Sequence, residues 1–157
     1  KSSLLKCLTK ANPKIGNYPF TTLFPNLGTL KTVDREIILA DIPGIIEGAS
    51  NGEGLGFDFL KHIQRSKILL HLVEANLDPE QCIQEYQLIK KELALYEKTL
   101  TDKTCMVIIS KSDLVSPDDL NNIINRFKEE NVNTFGFSSF TTHGISDLIE
   151  SILKLTS

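Results

Sequence analysis

The chain has 157 residues, of which 41% are hydrophobic and 24% charged, and its formal net charge is −3. That length suits one domain with a full hydrophobic core, and the slightly acidic balance provides no general attraction to nucleic acid or anionic lipid. No apolar run reaches the length of a membrane span. The three cysteines, Cys7, Cys82 and Cys105, are scattered and form no Cys-x-x-Cys pair, which argues against a disulfide framework or a zinc site and fits a reducing cytoplasm.

Leucines at 4, 5 and 8 predict a short helix from residue 1 to about residue 10. Residues 11–26 carry Asn12-Pro13, Gly16-Asn17, Pro19 and Pro25-Asn26, a density of turn formers that predicts a loop. Residues 27–33 and 36–40 read as two strands joined tightly at Asp34-Arg35. A glycine-rich loop without regular period follows over 41–56, then a helix over 57–65 with Phe57, Leu60 and Ile63 inward. Residues 68–73 form an apolar run suited to a buried parallel strand.

Asp78-Pro79 reads as an N-cap followed by proline at the first helical position. The helix after it puts Cys82, Tyr86, Ile89, Leu93, Tyr96 and Leu100 on one stripe. A buried strand is predicted at 104–109, a helix opened by Ser116-Pro117-Asp118-Asp119, a last strand at 134–137, and a final amphipathic helix carrying Ile145, Leu148, Ile149, Ile152 and Leu153. Alternating strands and helices predict an α/β domain with a mainly parallel sheet covered on both faces. In such folds ligands sit beyond the carboxyl ends of the strands, so the loops there carry the chemistry.

Lys1-Ser2-Ser3 before a leucine-rich helix resembles the end of a Gly-Lys-Ser phosphate loop. There the lysine reaches the β- and γ-phosphates, the next hydroxyl binds Mg²⁺, and the helix N-terminus supplies amide donors. Asp41-Ile42-Pro43-Gly44 follows a hydrophobic strand. An aspartate there can hold the metal's ligand shell, and the glycine lets its amide approach a terminal phosphate. A plain strand-exit turn would have the same composition.

Ser110-Lys111-Ser112-Asp113 follows the strand ending at Ile109 and resembles the Asn-Lys-x-Asp guanine motif. The aspartate would accept two hydrogen bonds from the base edge, which adenine cannot donate. Sites built on such bonds reject the wrong partner by roughly 10⁴ or more. Ser138-Ser139, ahead of Thr141-Thr142-His143-Gly144, resembles the loop whose amides touch the guanine oxygen. Each stretch alone also fits a solvated turn. Their order, each at a strand-to-loop junction, favours a nucleotide site over coincidence.

Two longer stretches resemble one family. Asn17-Tyr18-Pro19-Phe20-Thr21-Thr22-Leu23-Phe24-Pro25-Asn26-Leu27-Gly28 is similar to the switch I signature of Obg GTPases. Ala40-Asp41-Ile42-Pro43-Gly44-Ile45-Ile46-Glu47-Gly48-Ala49-Ser50, with Gly54-Leu55-Gly56 and Phe59-Leu60-Lys61-His62-Ile63, is similar to their switch II. The resemblance implies a P-loop NTPase fold: a three-layer α/β/α domain around a mainly parallel sheet. It also implies a GTPase that binds GTP and GDP with Mg²⁺ and cleaves the β–γ phosphoanhydride.

By this resemblance Lys1, Thr22 and Gly44 are the catalytic residues, and Ser2, Thr22 and Asp41 hold the metal. Lys1, Ser2, Phe20, Thr21, Thr22, Leu23, Phe24, Asp41, Ile42, Pro43 and Gly44 surround the phosphates and the metal. Ser110, Lys111, Ser112 and Asp113 hold the base with Ser138, Ser139 and Phe140. The implied partners are the large ribosomal subunit and its RNA, without a membrane, and a cytoplasmic monomer is expected. A Drg-type or other translation-factor GTPase is the alternative, and a non-catalytic scaffold fragment is the reading outside enzymes.

The sequence departs from the family pattern in three places. No glycine-rich stretch precedes Lys1, which is not a methionine, so a G domain over residues 1–157 truncated at its N-terminus is expected, without its first strand and the start of the phosphate loop. A fragment of that kind is expected to be unstable or to bind nucleotide weakly. Ser110 replaces the asparagine of the guanine motif. Ile45 stands where Ras-like enzymes carry a water-orienting glutamine, so hydrolysis is expected to be slow. His62, His71 and His143 share no metal-ligand spacing, and His71 reads as a core histidine.

Overall fold

The computed structural model describes residues 1–9, 14–15, 26–41, 63–96 and 102–157, which divide between two units, residues 1–65 and 66–157. Of the loop expected over 41–56, Asp41 is the last residue of a strand and 42–56 lie outside the described residues, as does most of the helix expected over 57–65; of that helix, residues 63–65 are helical and Ile63 is buried.

In the first unit, α1 (Ser2–Thr9) turns Leu4, Leu5 and Leu8 into the core. At the last residue of the helix, Thr9 donates its hydroxyl to the Leu5 carbonyl at 2.8 Å, a back-bond to the carbonyl four residues earlier. β1 (Lys14–Ile15), β2 (Asn26–Lys31) and β3 (Glu36–Asp41) form an antiparallel sheet in that order. β1 falls inside the stretch expected to be loop. Its two residues carry no periodicity and become a strand by pairing with Asn26 and Leu27.

The β2–β3 turn is also wider than the expected Asp34-Arg35 link. Lys31 pairs with Glu36, so the loop is Thr32 to Arg35, and Thr32 closes it through its amide and hydroxyl, both donating to the Arg35 carbonyl. Gly28 is where α1 meets this sheet: a Cβ there would lie 2.4 Å from Thr9 Cγ2 and 2.9 Å from Leu5 Cδ1. Glycine permits that approach by lacking the atom.

In the second unit, β4 (Ile68–Glu74), β5 (Thr104–Ser110) and β6 (Asn133–Gly136) form a parallel sheet with β5 in the middle. α2 (Pro79–Tyr96) connects β4 to β5, and α3 (Pro117–Glu129) connects β5 to β6. Parallel neighbours require such crossovers. β5 buries Met106, Val107, Ile108 and Ile109 completely. A central parallel strand covered on both faces needs such an unbroken apolar run.

On one face, Val107 and Ile109 pack with Val73, Cys82, Ile83 and Tyr86 of β4 and α2 and with Ile123 and Phe127 of α3. The Tyr86 ring lies edge-on to Phe127 at 5.7 Å, and the His71 ring lies 5.3 Å from Tyr86. His71, expected in the core, is half-buried at its edge, and burial lowers its pKa to about 4. α4 (Ile145–Leu155) buries Leu148 and Ile152. α2 and α3 are also linked on the surface, where the Arg126 guanidinium forks the Glu80 carboxylate at 2.5 and 3.3 Å.

Candidate functional site

The residues expected to hold the phosphates and metal belong to the first unit, and those expected to hold the base belong to the second. Lys1 immediately precedes α1, and Ser2 is its first residue. Asp41 is the last residue of β3, half-buried. Phe20 to Phe24 and Ile42 to Gly44 lie outside the described residues.

The base-site residues come together at the carboxyl end of the parallel sheet. β5 ends at Ser110, in register with Glu74 at the end of β4. Ser110 donates its hydroxyl to the Val73 carbonyl at 3.1 Å, and its own carbonyl accepts from the Ala75 amide at 2.9 Å. The serine that replaces asparagine therefore braces the strand ends through the β4 backbone. Lys111 then reverses the chain in the left-handed region, at φ 56° and ψ 37°. Its ammonium pairs with Glu74 Oε1 at 2.7 Å.

One helical turn of 3₁₀ type, Ser112–Leu114, presents Asp113 to solvent. The turn is tied to the exit of β6, because the Ser112 amide donates to the Phe137 carbonyl at 3.1 Å while the Phe137 amide donates to Ile109 at 2.8 Å. Ser138, completely buried, donates its hydroxyl to Asp113 Oδ1 at 2.5 Å. The same hydroxyl accepts from the amides of Phe140 and Thr141 at 3.2 and 3.1 Å. A serine hydroxyl offers one donor and two acceptor sites, so Ser138 uses all three.

Thr142 and Gly144 complete the loop with positive φ, 61° and 81°. A Cβ on Gly144 would lie 2.0 Å from the Gly136 carbonyl oxygen, so glycine is required by both angle and space. Phe140 points outward, 88% exposed.

Residues 110–113 and 138–140, expected together, meet here, and Glu74 and the Ser138 hydroxyl join them. Glu74 could have been inferred from its position at the end of a strand parallel to the one ending at Ser110. The link between Ser138 and Asp113 spans 25 residues and leaves no local pattern. The described residues include no group of three or more His, Cys, Asp or Glu placed to hold a metal ion, and no helix among them is long and apolar enough to cross a membrane.

The family of 50S ribosome-binding GTPases matches residues 1–111. The GTPase Obg of Finegoldia magna is 42% identical over 150 residues, covering 95% of this chain and 36% of that protein. The GTPase Obg of Prochlorococcus marinus is 44% identical over 156 residues, covering 98% of this chain and 47% of that protein. The chain thus spans between a third and a half of the length of these relatives. Among solved structures, the G domain of the Thermotoga maritima FeoB iron transporter superposes with a TM-score of 0.68 at 21% identity, over 100% of this chain and 91% of that one. The fold is therefore that of the P-loop GTPases, and the chain belongs to the 50S ribosome-binding GTPase family, with Obg GTPases as its relatives.

Proposed function

We propose that residues 1–157 act as the G domain of an Obg-type switch that binds GTP and GDP and hydrolyses GTP slowly. The observation that carries this reading is the base site. Asp113 stands exposed at the end of a buried strand, with one carboxylate oxygen held by the Ser138 hydroxyl. A carboxylate has about four lone-pair positions, so it retains capacity for the two donors on a guanine edge. The loop beside it supports the second half of the recognition. The amides of Ser138, Phe140 and Thr141 are engaged within the loop. Among the described residues, Ser139 is the one from 138 to 141 whose amide makes no hydrogen bond. That donor suits the guanine carbonyl oxygen.

Lys1 would neutralise the β- and γ-phosphates at the start of α1, where a helix N-terminus favours anions. Ser2, Thr22 and Asp41 supply hydroxyl and carboxylate oxygens, the hard donors that suit Mg²⁺. When bound, the metal would neutralise charge developing on the β- and γ-oxygens. The γ-phosphate would hold Thr22 and Gly44, and its loss would release both segments. Ile45 cannot orient an attacking water by hydrogen bonding, which is why turnover is slow. The family supports a role at the large ribosomal subunit and its RNA, and a cytoplasmic monomer completes the proposed reading.

Competition for bound GDP tests the reading. Excess GTP should displace a fluorescent GDP analogue from the full-length polypeptide where the same excess of ATP does not. Asp113→Asn should shift preference toward xanthine nucleotides, whose second ring oxygen needs a donor. Equal displacement by ATP would refute the assignment of residues 110–113, and failure to bind any guanine nucleotide would favour a scaffold.

A further inference from the structure

We propose that Glu74 is a positioning residue of the base site: its carboxylate fixes the Lys111 side chain, and through that lysine it sets the affinity for guanine nucleotides. This rests on the guanine-nucleotide reading above, in which Lys111 and Asp113 hold the base, and it gives the end of β4 a part in binding.

β4 is apolar through Val73 apart from His71 and ends on Glu74, an exposed acid. Register explains its place, because Glu74 stands opposite Ser110, the residue before Lys111. Three successive residues at this end then hold the end of β5. The Val73 carbonyl accepts the Ser110 hydroxyl at 3.1 Å, the Ala75 amide donates to the Ser110 carbonyl at 2.9 Å, and Glu74 Oε1 accepts from the Lys111 ammonium at 2.7 Å. The two strands are already paired from Ile68 and Thr104 onward, so the third of these bonds is not needed to join them.

Stability does not account for the acid either. The Lys111 and Glu74 side chains are 55% and 57% exposed, and an ion pair so open to water adds little to folding. What the pair changes is the freedom of Lys111. A lysine has a long flexible stem, and ordering it on a ligand costs rotamer entropy. The backbone of Lys111 is already fixed by its left-handed turn, and its carbonyl accepts the Leu114 amide at 3.0 Å. Glu74 fixes the other end. Held at both ends, the stem is ordered before a ligand arrives, and that much of the ordering cost is absent from binding.

The anchor is itself held. The Glu74 carbonyl accepts from the Cys82 thiol at 3.6 Å. Asn76 accepts the Asp78 amide at 3.1 Å through Oδ1, and its side-chain amide donates to Gln81 at 2.8 Å. The chain leaving β4 is thereby tied to the first turn of α2. Asp113 chooses the base by the donors it accepts, whereas Glu74 acts through Lys111 alone. Its loss should weaken binding without changing the choice of base or the chemical step.

The test uses the full-length polypeptide and calorimetric titration with GDP. Glu74→Gln should weaken GDP binding about fourfold. Glu74→Asp, which keeps the charge, should bind within about twofold of wild type. In Glu74→Gln the KM for GTP should rise while kcat, the preference for GTP over ATP and the melting temperature without nucleotide all hold. Lys111→Met keeps an apolar stem without its ammonium, so adding Glu74→Gln to it should weaken GDP no further. Wild-type affinity in Glu74→Gln, or full additivity of the two changes, overturns the positioning role and leaves the functional reading standing. So does a melting temperature that falls together with the affinity. If wild type binds no guanine nucleotide, that reading falls and takes the inference with it.

Discussion

His71 lies within β4 with its ring against Tyr86, and burial holds its pKa at about 4 against an ordinary 6.5. Because the folded value lies below the unfolded one, the unfolded chain binds the proton more readily as pH falls. Stability is therefore full above about pH 6.5 and is lost progressively toward pH 4. Between pH 7 and pH 5 this one group should lower the unfolding free energy by about 2 kcal/mol. Urea titrations at the two pH values check this. Wild type should lose midpoint concentration, and His71→Leu should lose distinctly less. Equal losses would mean that His71 titrates normally. At this scale, the sequence shows His71 inside one apolar strand and Ser110 to Asp113 at the end of another, because unbroken apolar runs mark buried strands. Glu74 and the Ser138 hydroxyl were not legible in the same way. Their partners, Lys111 and Asp113, lie 37 and 25 residues away in sequence, and only the folded sheet brings them together.

The starts of α2 and α3 are legible in the sequence because their determinants are local. Asp78 Oδ1 accepts from the Glu80 amide at 3.0 Å, with Pro79 opening α2. Ser116 accepts from the Asp119 amide at 3.1 Å and donates its hydroxyl back to Asp119 Oδ2 at 2.6 Å. Ser116→Ala removes both bonds and should cost about 1 kcal/mol, seen as a lower melting temperature with nucleotide affinity little changed. An unchanged melting point would mean that water replaces the cap at no cost. Strand limits were less legible. β6 begins at Asn133, one residue before the expected start at 134, and ends at Gly136. β1 exists only through its partner. A strand end is set by where its neighbour stops, which no single stretch of sequence records.

Across the whole molecule, the alternation of apolar strands with capped helices was enough to indicate an α/β fold. The mainly parallel arrangement holds for β4 to β6, while β2 and β3 are antiparallel, as a four-residue connection between them requires. This contrast of registers has a consequence for how the chain finds its structure. Lys31 meets Glu36 only five positions away, whereas Ile68 meets Thr104 across 36. Closing a long loop costs more entropy before any contact forms, and non-local pairing folds more slowly. On refolding from denaturant, pulse-labelled amides of Ile37 and Leu39 should gain protection before those of Leu69 and His71, whose N–H groups face β5. The reverse order would mean that the parallel sheet nucleates first. During synthesis the antiparallel hairpin can form as soon as its 16 residues, 26–41, have emerged. Apolar β4 must wait for β5, exposed to whatever binds unpaired strands.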